Sequence, residues 1–483
     1  MIKLGLERVQ STLSAMGDPH HKFHAVHVAG TNGKGSTCAL LESALVACLR
    51  PSGQLVGKFV SPYLLEPRDA VSIDGAPLSQ AAWQAALGEV AQCAPPEATP
   101  FERWTCAAFQ AFAAAGVAVA VVEVGVGGGG DATNVLPTPL LALITPIAMD
   151  HVDLLGPALA DIAGHKAGIL KAPRGQGSPC RGLSAPSQHP EVLAVLQARA
   201  ASVGLPFAVA PLLPWHARGV LLAAQGGAGP AAPPALLPLG LPGDFQATNA
   251  SLAWAALQSL GASHWPALLD AAAVGAAWAA VQWRGRAETV QLRLTPGSAA
   301  ATATAATAAT AAGAATATPA STLDLTFTLD GAHNVHAMGA LAEEVAWRCG
   351  QAGGGRLALV CACGASRDAG ELLGVLLGGL WQRQPALRIT LYAVPYAVPQ
   401  GMPWAAPYSP QALAAAAEGV VQRLLAEGAL AGAGQCRVLA AESLGQALGA
   451  VAGDGELSAA STCRVLCGSL YLMSDVARLC QFV

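Results

Sequence analysis

The segment AVHVAGTNGKGST, residues 25–37, constrains the fold more than any other part of the chain. An apolar run leads into it, and the helix-like stretch STCALLESALVACL begins within it. Gly30, Gly33 and Gly35 allow the backbone to curl so that several N–H groups point inward. A helix that begins there adds its positive amino end to the same place. The sequence therefore predicts a strand, an anion-binding loop and a helix, in that order.

This loop is shorter than the standard phosphate-binding pattern. Only two residues separate Gly30 from the Gly33-Lys34 pair, and a glycine stands between Lys34 and Ser36. Lys34 still supplies a charge for the outer phosphates, and Ser36 and Thr37 can cap the helix or face a metal ion. A nucleoside triphosphate is the expected occupant. The alternative is an ordinary glycine-rich turn with a surface lysine.

The rest of the chain predicts an α/β fold. Apolar runs such as AVAVVEVGVG and LLALITPIAMD are typical of buried parallel strands, and helical patterns lie between them. We expect a doubly wound, mostly parallel sheet with a P-loop-type ATP site, followed by a second, smaller α/β domain. The expected boundaries are 1–286 for the first domain, 287–321 for a linker with a low-complexity Ala/Thr insertion, and 322–483 for the second domain. Residues 172–188 and 223–240 are predicted to be loops.

Composition excludes several classes of partner. The 483 residues carry a net charge of −4 with 12% charged residues, and no basic stripe marks a nucleic-acid surface. No apolar span is long enough to predict a membrane helix. The 12 cysteines are scattered without a C-x-x-C pair, which is typical of a reduced intracellular protein. We expect a cytoplasmic monomer, or a mitochondrial one if the natural N-terminus is longer than the printed one.

Polar side chains gather where predicted strands end. Glu123 follows one apolar run, Asp150 and His151 follow another, and Asp330 and His333 follow a third. The carboxyl ends of parallel strands share one edge of a sheet, where the glycine loop also lies. A hard cation that bridges phosphates takes oxygen ligands, which suits Glu123 and makes His151 a borderline ligand. The alternatives are a loop-capping carboxylate and a hydrogen-bonded histidine.

Ten segments in order resemble the folylpolyglutamate synthase and dihydrofolate synthase family of the Mur ligase superfamily. They are HVAGTNGKGST, FVSPYLLEPRDAVSIDG, FERWTCAAFQAF, VEVGVGGGGDATNV, MDHVDLLG, HKAGILK, LPGDFQATNA, WRGRAE, LDGAHN and CGSLYL. The resemblance covers nearly the whole chain, and it leans towards the eukaryotic dihydrofolate synthase type.

The resemblance implies a role for each matching position. ATP binding falls to Asn32, Gly33, Lys34, Gly35, Ser36, Asn249, Arg286 and Asp330. Magnesium binding, of one ion or two, falls to Ser61, Glu123 and His151. Pterin binding falls to Thr99, Pro100, Phe101, Glu102 and Asp131. The catalytic groups would be Lys34, Lys166 and His333. Lys166 matches a lysine that is carbamylated in the family, although a surface lysine on a short helix is the plainer reading.

The implied activity is ATP-dependent addition of L-glutamate to 7,8-dihydropteroate through an acyl phosphate. Polyglutamylation of reduced folate is the alternative, and one protein can do both. A cell-wall Mur ligase and an inactive folate- and ATP-binding protein are readings from other classes. The chain departs from the family pattern at Gly129-Gly130, at Tyr63 and at His165, and the glycine pair puts the geometry of the pterin loop in question.

Overall fold

The computed structural model describes residues 4–173, 180–216, 218–222, 235–294, 323–353, 355–399, 402, 405–428 and 436–479. The chain forms two compact units, Met1–Trp283 and Arg284–Val483. Both combine helices with a mostly parallel sheet, so the predicted fold class is confirmed. The domain boundaries expected from the sequence stay a prediction. Within the described ranges, no helix is both long and apolar enough to span a bilayer.

The first unit is built on an eight-stranded sheet in the order β4-β3-β2-β5-β1-β6-β7-β8. Neighbours from β2 to β8 run parallel, and β3 and β4 add an antiparallel edge. The strands are β1 His24–Ala29, β2 Leu55–Phe59, β3 Val71–Ile73, β4 Ala76–Pro77, β5 Val117–Glu123, β6 Leu141–Ile144, β7 Arg181–Ser184 and β8 Phe207–Val209. A small antiparallel sheet contains β9 Trp215–His216, β10 Gly219–Leu222 and β11 Ala235–Pro238.

Nine helices of the described residues complete this unit. They are α1 Glu7–Ala15, α2 Lys34–Leu49, α3 Gln80–Cys93, α4 Pro100–Ala115, α5 Val152–Leu155, α6 Leu159–Ala167, α7 Pro190–Ser202, α8 Gln246–Ser263 and α9 Ala271–Ala279. The central strands β1 and β5 are buried along nearly their whole length, because helices cover the sheet. α2, α8 and α9 pack together in the main core, around the fully buried Trp278.

The second unit has a six-stranded sheet in the order β12-β13-β17-β14-β15-β16, parallel except for β12. Its strands are β12 Glu288–Leu294, β13 Leu323–Leu329, β14 Arg356–Cys361, β15 Arg388–Ala393, β16 Cys436–Ala440 and β17 Cys463–Cys467. Its helices are α10 Val335–Ala352, α11 Ala369–Arg383, α12 Pro410–Ala426, α13 Leu444–Gly453 and α14 Leu470–Leu479.

Some segments differ from the sequence expectation. β12 lies inside the predicted linker, because Val290, Leu292 and Leu294 alternate with exposed residues and bury one face of the strand. β7 and β11 lie inside segments predicted to be loops, so both loop predictions were wrong in part. The Ala/Thr insertion, together with positions 174–179 and 223–234 of those two segments, falls outside the described residues.

Candidate active site

The glycine loop connects β1 to α2 and is tied to the segment that follows β6. The backbone N–H groups of Thr31 and Asn32 both donate to Pro146 O, at 2.9 and 3.1 Å. Thr31 Oγ1 donates to Ala148 O, and Ala148 N donates back to Thr31 Oγ1, each at 3.1 Å. Because β1 and β6 are parallel neighbours, these two connections emerge side by side. The loop is therefore held in place on one side by hydrogen bonds of its backbone and of the Thr31 hydroxyl.

Two glycines of the loop leave no room for a side chain. Gly30 has φ +145°, and a Cβ atom there would lie 2.9 Å from Thr145 Cβ and closer still to its hydroxyl. Gly33 has φ +86°, and a Cβ atom there would lie 2.9 Å from Asn249 Cγ and closer still to Oδ1. The left-handed backbone at Gly33 begins α2. The loop thus brings Asn249 of α8, a predicted ATP contact, against its own backbone.

Lys34, Glu123 and Ser61 meet at the ends of neighbouring strands. Lys34 Nζ lies 3.8 Å from Glu123 Oε1 and donates to Thr31 O at 3.2 Å. Ser61 N donates to Glu123 Oε2 at 3.3 Å. The Glu123 side chain is only 4% exposed, so the ion pair with Lys34 lies in a partly dehydrated environment. The structure therefore joins two predicted magnesium ligands to the predicted phosphate-binding lysine.

His151 lies in the segment after β6, a few residues beyond the positions that anchor the glycine loop. Its backbone N donates to Asp150 Oδ1 at 2.8 Å, and its Nε2 lies 3.9 Å from Asp150 Oδ2. The backbone at His151 is left-handed, with φ +51°. In the described part of the chain, Glu123 and His151 belong to no group of three carboxylate, imidazole or thiol ligands within 4.8 Å of one another. Mg²⁺ keeps several water or phosphate ligands of its own, so a magnesium site does not need three protein ligands this close together.

Lys166 near the end of α6 is buried, so the surface reading of this lysine was wrong. Its Nζ donates to Gly30 O at 2.7 Å. Burial, together with the charge of Lys34, lowers the pKa of Lys166 to about 7, although the charges of Asp150 and Asp131 oppose the shift. Near neutral pH a large fraction of this amine is therefore uncharged. An uncharged amine is the form that reacts with an electrophile such as carbon dioxide.

The glycine run at 127–130 is fixed by hydrogen bonds rather than loose. Gly129 N donates to His165 O at 2.8 Å, and Asn134 Nδ2 donates to Gly129 O at 2.9 Å. Gly5 N donates to Gly130 O at 2.9 Å. A Cβ atom at Gly128 would lie 2.6 Å from His165 O. The missing side chains therefore let this loop lie directly against the end of α6, beside Lys166.

Among the predicted pterin residues, Phe101 and Asp131 lie close together, whereas Thr99 and Glu102 hydrogen-bond to each other's backbone. Phe101 stacks on Phe59 with ring centroids 5.9 Å apart, and both Phe101 and Asp131 border the space beside Gly125. Thr99 and Glu102 form a capping box at the start of α4, which begins at Pro100.

The Glu102 carboxylate also accepts hydrogen bonds from Arg8 Nε at 3.0 Å and Nη2 at 2.7 Å. Sequence reasoning did not find this partner, because α1 lies far from α4 along the chain. The capping-box spacing was a local signal that it could have used.

Asp131 ends a buried hydrogen-bonded chain that the sequence did not reveal. It accepts from Val126 N at 2.9 Å and from Thr133 Oγ1 at 2.6 Å. Since the Thr133 hydroxyl donates its only proton there, the 2.9 Å contact with His27 requires His27 Nε2 to donate. Burial raises the pKa of Asp131 and lowers that of His27 to about 3.

In the second unit, three predicted site residues come together. Asp330 accepts from Ala287 N and from Ala332 N, both at 2.7 Å, and burial raises its pKa while the charge of Arg286 opposes the shift. His333 Nδ1 donates to Gly331 O at 2.8 Å. A Cβ atom at Gly331 would lie 3.0 Å from Arg286 Nη1, so Arg286 covers this turn.

A further residue beside the nucleotide loop was missed. Gln246 is fully buried one turn before Asn249 on α8, and its Oε1 accepts from Asn249 Nδ2 at 2.8 Å. The signal was available in LPGDFQATNA, where the two amides are three positions apart and share a helix face. Gln246 therefore orients the amide that lies against Gly33.

Comparisons with known proteins find relatives of this chain. The family model described as "Dihydrofolate synthetase, C-terminal domain" matches residues 315–479. A dihydrofolate synthase/folylpolyglutamate synthase of Mycobacterium tuberculosis is 37% identical over 306 residues, which cover 59% of this chain and 61% of that protein. A probable dihydrofolate synthetase of Schizosaccharomyces pombe is 39% identical over 174 residues, 35% of this chain and 40% of that protein. These alignments span less than two thirds of either relative.

Solved structures match over nearly the full length. The folylpolyglutamate synthase of M. tuberculosis complexed with ADP and AMPPCP superposes with a TM-score of 0.70 at 28% identity, over 98% of this chain and 95% of that one. E. coli FolC in complex with DHPP and ADP has a TM-score of 0.69 at 24% identity, covers 99% and 93% respectively, and supports the fold alone. The chain therefore belongs to the folylpolyglutamate synthase and dihydrofolate synthase family.

Proposed function

We propose that this protein is an ATP-dependent ligase that joins L-glutamate to the carboxylate of 7,8-dihydropteroate. The contact of Lys34 and Ser61 with the buried Glu123, beside the glycine loop, is the observation that carries the proposal. This grouping places one cation and one carboxylate at an anion-binding loop, where phosphoryl transfer from ATP requires groups that offset and bind charge. A relative's structure holds ADP and AMPPCP.

ATP phosphates would bind the loop and the amino end of α2. The proposed contacts in the first unit are Asn32, Gly33, Lys34, Gly35, Ser36 and Asn249. Arg286 and Asp330 of the second unit remain predicted ATP contacts, and His333 a predicted group near the phosphates. Lys34 at present pairs with Glu123 at 3.8 Å, which is longer than a direct hydrogen bond. A bound phosphate therefore competes for Lys34 without breaking a strong contact.

Magnesium would be held by Glu123, Ser61 and His151, where it would offset negative charge on the transferring phosphoryl group. The donor set is one carboxylate, one hydroxyl and one imidazole, so phosphate oxygens and water would complete it. Lys166 is proposed to carry a carbamate. Its neutral amine would add carbon dioxide and lose a proton, which turns a cation into an anionic oxygen ligand beside Gly30.

The reaction follows from these groups in two steps. The acceptor carboxylate oxygen attacks the terminal phosphorus of ATP, ADP leaves, and an acyl phosphate forms. The glutamate amine then attacks the acyl carbon, the phosphate leaves, and an amide remains. Lys34 would stabilise charge on the transferring group in the first step, since its positive charge lies at the loop that holds that group.

The pterin would lie near Phe101 and Asp131, which border Gly125. The preference for dihydropteroate rests on the segment FVSPYLLEPRDAVSIDG. Tyr63 in this segment packs edge-on against Trp104, with centroids 5.4 Å apart. Polyglutamylation of tetrahydrofolate remains the second candidate, because the M. tuberculosis relative is named for both activities.

An ADP-release assay with each acceptor tests the proposal. We expect ADP release that requires L-glutamate, with a larger kcat/KM for dihydropteroate than for tetrahydrofolate, and a product heavier by one glutamyl group in mass spectrometry. A ratio that favours tetrahydrofolate would reverse the acceptor preference. Absence of glutamate-dependent ADP release with either acceptor would contradict the ligase and favour an inactive folate- and ATP-binding protein.

The remaining partners and the location are also proposals. The substrates are small molecules, with neither nucleic acid nor membrane involved, and the protein is a monomer. A cytoplasmic location is supported by the cysteines, which are all free thiols within the described ranges. Sedimentation velocity of the purified full chain tests the monomer.

A further inference from the structure

A second candidate metal site lies in the turn between α1 and β1. Each of Asp18, His20 and His21 offers one ligand atom, and these three atoms lie within 4.8 Å of one another. Within the described ranges, this is the group of three or more carboxylate, imidazole or thiol ligands that meets this criterion. The turn leads into the amino end of β1, whereas the glycine loop leaves its carboxyl end. A six-residue strand spans roughly 20 Å, so the two sites are separate.

The backbone of this turn holds the three side chains together. Asp18 has a left-handed backbone, with φ 52° and ψ 54°, and its N–H donates to Leu13 O at 2.8 Å. Pro19 begins a 3₁₀ turn, in which His21 N donates to Asp18 O at 3.0 Å. The imidazoles of His20 and His21 consequently lie with centroids 4.2 Å apart, although they are consecutive residues.

The donor set selects a class of ion. Two imidazoles and one carboxylate suit Zn²⁺, Co²⁺ and Ni²⁺, whereas Mg²⁺ and Ca²⁺ favour all-oxygen sites. Bonds of about 2.0–2.2 Å to zinc place tetrahedral ligands about 3.4 Å apart. Ligand atoms that already lie within 4.8 Å reach that spacing through small side-chain rotations.

We propose that Asp18, His20 and His21 bind a divalent transition-metal ion, Zn²⁺ in particular, with a water molecule as the fourth ligand. His20 is 7% exposed and provides a ligand from the protein side, while the half-buried Asp18 and the exposed His21 complete the site on the solvent side. The distance from the glycine loop keeps this ion apart from the proposed ligase chemistry. It would fix the connection between α1 and β1, and α1 carries the Arg8 that binds Glu102.

Titration of the metal-free full chain with Zn²⁺ and with Co²⁺ tests this proposal. We expect Zn²⁺ to raise Tm, and Co²⁺ to give the visible absorption of a tetrahedral site. Asp18→Asn and His21→Gln each remove one ligand at a position that is not fully buried. Each should weaken binding by at least ~10-fold, since changes in the second shell alone cost 10–100-fold. His189→Gln is the matched control, because His189 is an exposed imidazole 4.0 Å from a carboxylate, outside the cluster.

Zn²⁺ also binds other groups of a protein, so the number of ions bound is compared between variants to isolate the ion at this site. The wild type and His189→Gln should bind one more Zn²⁺ than His21→Gln. Mg²⁺ in excess should not displace this ion, and ligase turnover of Asp18→Asn should match the wild type. Equal stoichiometry and affinity for the wild type, Asp18→Asn and His21→Gln would overturn the proposal. Displacement of the ion by Mg²⁺ would also overturn it.

Discussion

Gly33→Ala is expected to damage the nucleotide loop through a collision with Asn249. Gly33 has φ 86° and ψ −5°, and the added Cβ would lie 2.9 Å from Asn249 Cγ. Gly53 provides a matched control, because it has nearly the same backbone, φ 73° and ψ 14°, with no atom within 4 Å of its added Cβ. The pair separates backbone strain from the collision.

The magnitudes follow from these two contributions. A left-handed backbone costs a non-glycine residue about 1–2 kcal/mol, and this cost applies to both variants. In Gly33→Ala, the Asn249 amide must also move, which breaks its 2.8 Å hydrogen bond to Gln246 Oε1. A buried polar group that loses its partner costs about 1–3 kcal/mol. We therefore expect a loss of ~2–5 kcal/mol for Gly33→Ala and ~1–2 kcal/mol for Gly53→Ala.

Urea unfolding followed by tryptophan fluorescence measures both losses, and nucleotide titration measures the functional effect. Gly33→Ala should weaken ATP binding, whereas Gly53→Ala should leave it unchanged. In the Asn249→Ala background, the stability cost of Gly33→Ala should fall to that of Gly53→Ala, since the colliding group is gone. Equal losses for the two glycine variants in the wild-type background would refute the collision argument.

Three further predictions concern charged and titratable groups. Lys34→Ala should keep the fold and lower kcat by at least ~100-fold, because it removes the charge at the transferring phosphoryl group; near-normal kcat at saturating ATP would contradict the role. Glu123→Gln should raise the Mg²⁺ concentration for half-maximal rate about tenfold or more, as measured in Mg²⁺ titrations of ADP release, and an unchanged requirement would remove Glu123 from the metal site. Burial depresses the pKa of His27 from 6.5 to about 3, so the unfolded chain binds the extra proton between these values. Stability should therefore be full above pH 6.5 and fall by up to ~1.4 kcal/mol per pH unit as the pH drops towards 3. His27→Gln should flatten that slope in unfolding experiments, and an unchanged slope would assign it to other groups.

The fold class and the family were predictable because both depend on patterns along the chain. Apolar runs that end in glycine or acid residues marked β1, β5 and β6, and the glycine loop marked the start of α2. The alternation in ETVQLRL was equally visible, but the adjacent Ala/Thr repeat led us to predict a linker there. The segment forms a strand because β13 pairs with it in antiparallel orientation.

The site was less predictable, because side-chain partners depend on three-dimensional contacts. Nothing in HKAGILK indicates that Lys166 is buried against Gly30 O, since its burial depends on the loop that precedes α2. Likewise the engagement of Glu102 by Arg8 joins positions 94 residues apart. Gly129 and Gly130, which put the geometry of the pterin loop in question from the sequence, are fixed by hydrogen bonds with neighbours that no local pattern reveals.

The pairing of β12 with β13 indicates where the chain can be lengthened. Leu294 lies opposite Leu323 in the register of the two strands, so the chain leaves and returns at neighbouring points of one sheet edge. A connection between such points needs no particular length. Shortening it from roughly 30 to roughly 10 residues changes the closure entropy by only about 1 kcal/mol. Positions 295–322 are therefore where we would insert an epitope tag or a fluorescent reporter.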